Sequence, residues 1–146
     1  MWIVFILVGL ISAATAFGVE YIGSVLHAGK MAFSNQTEYV TLNLSIWVVY
    51  SLVFGYIAVS VGAWISADAE GSGIPELKSI LSGIQFRKYL LPKTLLAKVI
   101  GLIAATGAGF SIGKEGPFVH ISCIIANNLM RLRCFRALSD NSMLKQ

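Results

Sequence analysis

The residues best placed to do chemistry in this sequence are Gly113-Lys114-Glu115-Gly116-Pro117. They lie between two apolar runs, Thr94–Ile112 and Phe118–Met130, where a carboxylate has no default place. An ionisable residue at membrane depth marks a functional site unless a partner accounts for it. Gly113 and Gly116 let the backbone leave helical geometry and approach another group closely. Pro117 has a fixed φ and no N–H, which suits the first turn of a new helix. A helix starting here places free N–H groups and the positive end of its dipole beside Glu115, an anion site with a carboxylate at its edge. Deprotonated, that carboxylate takes the place of an anion; protonated, it gains nothing there and can swing away. The simpler reading is a carboxylate that caps the helix or pairs with Lys114.

Gly71-Ser72-Gly73-Ile74-Pro75-Glu76 repeats the pattern: glycines, a polar side chain, and a proline opening a helix. Two broken-helix entrances in one apolar chain suit a transport site built from half-helix ends. Taken alone, Ser72 reads as a cap or turn serine.

In this order and at this separation, the two stretches resemble the N-terminal signature motifs of the CLC family of chloride channels and chloride/proton antiporters. Leu77–Ile112 between them and Phe118-Val119-His120-Ile121 after them continue the resemblance, which covers about Trp2 to Leu132. It implies an all-α, polytopic membrane protein with broken and re-entrant helices, a partial transmembrane domain over 1–138 within the first of two inverted repeats. It implies chloride as the transported substrate, no cofactor, a lipid bilayer, and a homodimer in a full-length context. Glu115 takes the position of the family's gating glutamate. The Ser72 hydroxyl takes that of the group coordinating the central chloride from the inner side, together with a tyrosine from a much later helix. Backbone N–H groups at Ser72, Gly73, Gly116 and Phe118 are the further donors implied. Gly71, Ile74, Pro75, Gly113 and Pro117 complete the selectivity motifs, and Lys114, where the family carries Arg or Lys, shapes the external field. A bare anion in hydrocarbon costs on the order of tens of kcal/mol. Many partial positive charges offset that without gripping the ion as a full charge would. Channel and antiporter both remain open, with Glu76–Ile121 closer to animal channel-type members. So does a non-conducting role as a truncated regulatory isoform or a glycine-packed scaffold.

Composition agrees with a membrane setting. Of 146 residues, 56% are apolar and 12% charged, and mean hydropathy is +0.76. A soluble chain this size cannot hide four long apolar runs. Ten of the eleven basic residues lie at or after Lys78, without a run of like charge or interleaved exposed aromatics, which argues against nucleic-acid binding. Cys123 reads as a small buried hydrophobe and Cys134 as a free cytosolic thiol, not as a disulfide framework. The N-terminus lacks a basic n-region, and its apolar run is too long for a signal peptide.

Several motifs are decoys. Gly107-Ala108-Gly109-Phe110-Ser111-Ile112-Gly113 has nucleotide-fingerprint spacing without a βαβ context. His120 and Cys123 make two possible metal ligands, too few for a site, so no metal is expected. Two histidines do not assemble a nucleophile, base and orienter, and no enzyme is expected.

The elements that must position the motifs are spans over about 2–27, 44–65 and 94–112, with short helices over about 75–83 and 117–130 and a polar tail over 139–146. Gly29–Ser45 reads as a polar connection with sequons at Asn35 and Asn43, and Glu20 as an end-of-helix charge. The small residues Gly9, Ser12, Ala13, Ala14 and Ala16, and Gly109-x-x-x-Gly113, are expected to bring helices close. Lysine and arginine asymmetry puts Gly29–Ser45 outside with Lys30 alone, and Ser66–Lys93 and Arg131–Gln146 inside.

Overall fold

An apolar chain removed from water must satisfy its N–H and C=O groups within itself, and helices do so segment by segment. The computed structural model of the protein describes residues 2–35, 38–69, 71–84 and 89–131, and every α or β element among them is a helix. These are α1 (Trp2–Ser34), α2 (Val40–Ile65), α3 (Ile74–Leu81), α4 (Pro92–Ala108) and α5 (Glu115–Arg131), with one 3-10 turn at Ala67–Ala69.

α4 is the centre. It buries Thr94, Ala97, Lys98, Leu102, Ala104, Ala105, Gly107 and Ala108. Its alanines and Gly107 thin the surface so that neighbours come near the backbone. α2 runs antiparallel to it. The Ser66 and Thr94 hydroxyls meet at 3.1 Å at one end, and the Ser51 hydroxyl donates to the Ala108 carbonyl at 3.4 Å towards the other. α1 runs antiparallel to α2, tied by the Tyr50 hydroxyl donating to the Leu26 carbonyl at 3.0 Å. α1 meets α4 through glycines on both helices: a Cβ on Gly23 would collide with Thr106, and one on Gly107 would lie 2.8 Å from Leu26 Cβ.

α1 and α2 are each long and apolar enough to cross a membrane. Their outward faces stay apolar: Trp2, Phe5, Phe17, Tyr56 and Trp64 are exposed.

The fold corrects several expectations. The polar connection shrinks, because α1 continues to Ser34 and α2 starts at Val40. The sequence over Gly29–Ser34 is helix-compatible, and the charge of Lys30 finds partners inside the bundle. Lys30 is 1% exposed, donates to the Ala108 carbonyl at 2.7 Å, and lies 3.5 Å from the Trp47 ring centroid. It is not a loop charge. Glu20 is likewise inside α1 rather than at its end, paired with Lys114. Among the described residues a Cβ on Gly9 would meet nothing within 4 Å, whereas one on Gly23 would meet Thr106. Gly109 adopts φ +81° and ends α4 at Ala108, so Gly109 and Gly113 do not share a helix. The third run therefore stops four residues short of 112. α3 covers Ile74–Leu81 and α5 Glu115–Arg131, each starting before the expected residue. Residues 132–146, with Arg133, Cys134, Arg136 and the polar tail, lie outside the described residues, as do 36–37 of the first sequon and Arg87 and Lys88.

Candidate anion site

Each half of the site begins as a local instruction. Gly73 takes φ +80° and N-caps α3, with Pro75 in the first turn. The Ile74 N–H reaches the Ser72 hydroxyl at only 3.4 Å, a long contact, and the helix has no side-chain cap. On the other half, Glu115 opens α5 and Pro117 sits in its first turn, buried.

The fold brings these two helix starts into contact. A Cβ on Gly116 would lie 2.8 Å from Ser72 Cβ and 3.3 Å from the Ser72 Cα and carbonyl oxygen. Only glycine permits that approach. The two helix N-termini therefore meet, and both line one cleft of about 1100 Å³. Gly71, Ser72, Ile74, Gly113, Lys114, Glu115, Gly116 and Pro117 all line it, together with Lys98 and the α4 face Ala97–Ala105. Gly73 and Phe118 are not in the lining. The Phe118 N–H closes the first turn of α5 by donating to the Lys114 carbonyl at 3.1 Å, so its contribution at the cleft is through the helix dipole. Gly73 is turned to the far side of the motif, where a Cβ would lie 2.7 Å from the Tyr89 hydroxyl and 2.9 Å from His120.

Three residues that the sequence did not single out as parts of the site hold the inner half. Lys98 is 5% exposed and donates to the Gly71 carbonyl at 2.8 Å, fixing the first residue of the motif. His120 is fully buried, stacks on Tyr89 with ring centroids 4.1 Å apart, and has Nε2 3.2 Å from the Tyr89 carbonyl. Burial, then the Glu76 carboxylate, push the Tyr89 phenol above its usual value. It stays protonated and donates to Glu76 Oε2 at 3.3 Å. The packing makes a testable distinction. Gly71→Ala strains only the backbone, at φ +75° with no neighbour within 4 Å among the described residues, and should cost about 1 kcal/mol. Gly73→Ala adds the clash with Tyr89 and His120 and should cost about 3 kcal/mol. Thermal melting of the two variants in detergent should separate them clearly.

On the outer half, Glu115 is exposed to the cleft. Among the described residues its carboxylate has no hydrogen-bond or ion-pair partner, and the simpler alternative of a pair with Lys114 is not formed. Lys114 turns instead to α1, where its ammonium lies 2.6 Å from Glu20 Oε1. The arrangement is a cleft beside two positive helix ends, with one carboxylate in its lining.

Comparison with known proteins fits this geometry. A sequence model of the family "Voltage gated chloride channel" matches residues 54–145. The chain belongs to this family. Among similar proteins, "Chloride channel protein clh-3" of Caenorhabditis elegans is 41% identical over 133 residues, 90% of this chain and 13% of that protein. "Chloride channel protein 2" of Homo sapiens is 37% identical over 142 residues, 96% of this chain and 16% of that protein. A crystal structure described as a eukaryotic CLC transporter superposes with a TM-score of 0.87 at 36% identity, over 95% of this chain and 26% of that one. The chain thus spans a small part of the length of the family members it matches.

Proposed function

We propose that the chain takes part in moving chloride across a membrane, with Glu115 as the gate and the cleft between α3 and α5 as part of the anion path. The observation that carries this reading is the contact of Gly116 with Ser72, which joins two positive helix ends beside an unpaired carboxylate. Ser72, by its hydroxyl, and the backbone at Gly116 supply the polar environment of the ion, with the α3 and α5 dipoles behind Gly73 and Phe118 adding to it. Chloride is the substrate and no cofactor takes part. Channel activity is the first reading, because the relatives are named chloride channel proteins. Coupled exchange with protons is the second, because the matching crystal structure is described as a transporter. The two separate by reversal potential: a pH gradient at fixed chloride shifts it in an exchanger and leaves it at the chloride value in a channel. The wider setting is a multi-pass protein that pairs with a second copy in its full-length context. Absence of selective chloride flux from liposomes holding the full-length protein overturns the proposal. The 146 residues alone are expected to give no selective flux in the same assay.

The orientation follows from charge. With Lys30 buried, the short turn between α1 and α2 carries Glu38 and no described basic residue, while Lys78, Lys93 and Arg131 lie at the opposite ends of the helices. The turn is assigned outside. Asn35→Cys should react with a membrane-impermeant thiol reagent applied to intact cells; protection there, with labelling only after permeabilisation, would invert the assignment.

A further inference from the structure

α1 touches the segment that carries Glu115 at both of its ends. At the start, Lys30 donates to the Ala108 carbonyl, the last residue of α4, and its ammonium would lie 3.2 Å from a Cβ on Gly109. At the finish, Glu20 holds Lys114, the residue before Glu115. Between these points, a Cβ on Gly109 would meet His27 at 3.0 Å, and Phe110 packs over Gly55 of α2. The two grips differ in kind. Lys30 is sealed from solvent between Trp47 and the negative end of the α4 dipole, where a charge-assisted bond is strong. The Glu20–Lys114 pair is open, with side chains 66% and 47% exposed, and is weaker.

We infer that Lys30 and Glu20 are positioning residues which clamp the 109–114 loop to α1 and so set where Glu115 stands in the cleft. This deepens the gate reading above and rests on it for its functional half; the mechanical half stands on the contacts alone. The charged and titratable groups facing the loop are Glu20, His27 and Lys30 from α1, Lys98 from α4, and Lys114 and Glu115 themselves. Lys30 carries the larger share because its bond is buried, and because among the described residues the Ala108 carbonyl accepts otherwise only the longer Ser51 hydroxyl contact at 3.4 Å.

The test uses the full-length protein carrying this segment, with Ser111→Cys as a reporter; Ser111 is exposed in the middle of the loop. The readout is the reaction rate of a charged thiol reagent, compared with the same protein without the reporter. Lys30→Met should raise the rate about tenfold, Glu20→Gln about twofold, and Lys30→Arg little. If Lys30→Met fails to fold, Trp47→Leu, which removes the ring over the ammonium, replaces it and should raise the rate about threefold. In the same protein, Lys30→Met should change chloride passage at a fixed external pH about threefold. In a Glu115→Gln background the labelling effect should persist and the gating effect vanish. Unchanged labelling in Lys30→Met, or equal labelling in Lys30→Arg and Lys30→Met, overturns the clamp. A gating effect that survives in Glu115→Gln overturns its action through Glu115. Intact pH dependence in Glu115→Gln by itself removes the gate, not the clamp, which labelling then decides.

Discussion

Glu115→Gln, in the full-length protein carrying this segment, should abolish most of the dependence of chloride passage on external pH. The amide keeps the shape of the side chain and removes its charge, reproducing the protonated state at every pH. If opening requires one proton on Glu115, the open fraction falls by up to about tenfold per pH unit on the alkaline side of the titration. The Gln variant should flatten that slope, giving a channel open at alkaline pH or an exchanger that keeps chloride flux and loses proton coupling. Glu76→Gln is the control. Glu76 lies in the first turn of α3 and accepts from Tyr89, away from the proposed gate. It should lower stability modestly and leave the slope in place. Equal effects of the two substitutions, measured as current against external pH, would remove Glu115 from the mechanism.

Gly116→Ala should reduce chloride passage at least about tenfold per molecule at the membrane, because it forces the two helix starts apart. The new methyl would sit 2.8 Å from Ser72 Cβ and 3.3 Å from Ser72 backbone atoms, which cannot rotate away. Gly113→Ala, three residues earlier in the same motif, meets nothing within 4 Å among the described residues and carries no positive φ. It should conduct close to the parent. Flux normalised to surface protein checks both. Matching losses in the two variants would mean that the motif tolerates no alanine for reasons other than the Ser72 contact.

The contrast between Gly113 and Gly116 shows how far sequence alone reaches. Both motifs, their helix starts and the all-helical class were legible, because a glycine, a proline and an isolated charge inside apolar runs speak locally. Which glycine touches the other motif was not, since that depends on how α3 and α5 meet. The same holds for charges. Lys30 read as a loop residue because a lysine near a helix end normally faces water; only the carbonyl end of α4 and the Trp47 ring, both distant in sequence, make its burial affordable. Glu20 and Lys114 are separated by a gap that no local pattern spans. Tyr89 passed as an ordinary residue, and His120, weighed only as a metal ligand and as part of the run after Pro117, gave no sign of its stacking on Tyr89. The end of α4 could have been placed earlier by weighting Gly109 as a left-handed stop instead of a packing glycine.

Ser72 and Gly116 hold two positive helix ends against one another, and like ends repel. An anion held between them would offset that repulsion. Stability and occupancy are then linked: an anion that binds only the folded form stabilises it by about 2.7 kcal/mol at a hundredfold excess over its Kd. The melting temperature in detergent should climb with the logarithm of chloride concentration and stay flat with a bulky anion excluded from the cleft. Low-halide buffer should therefore give the lowest melting temperature.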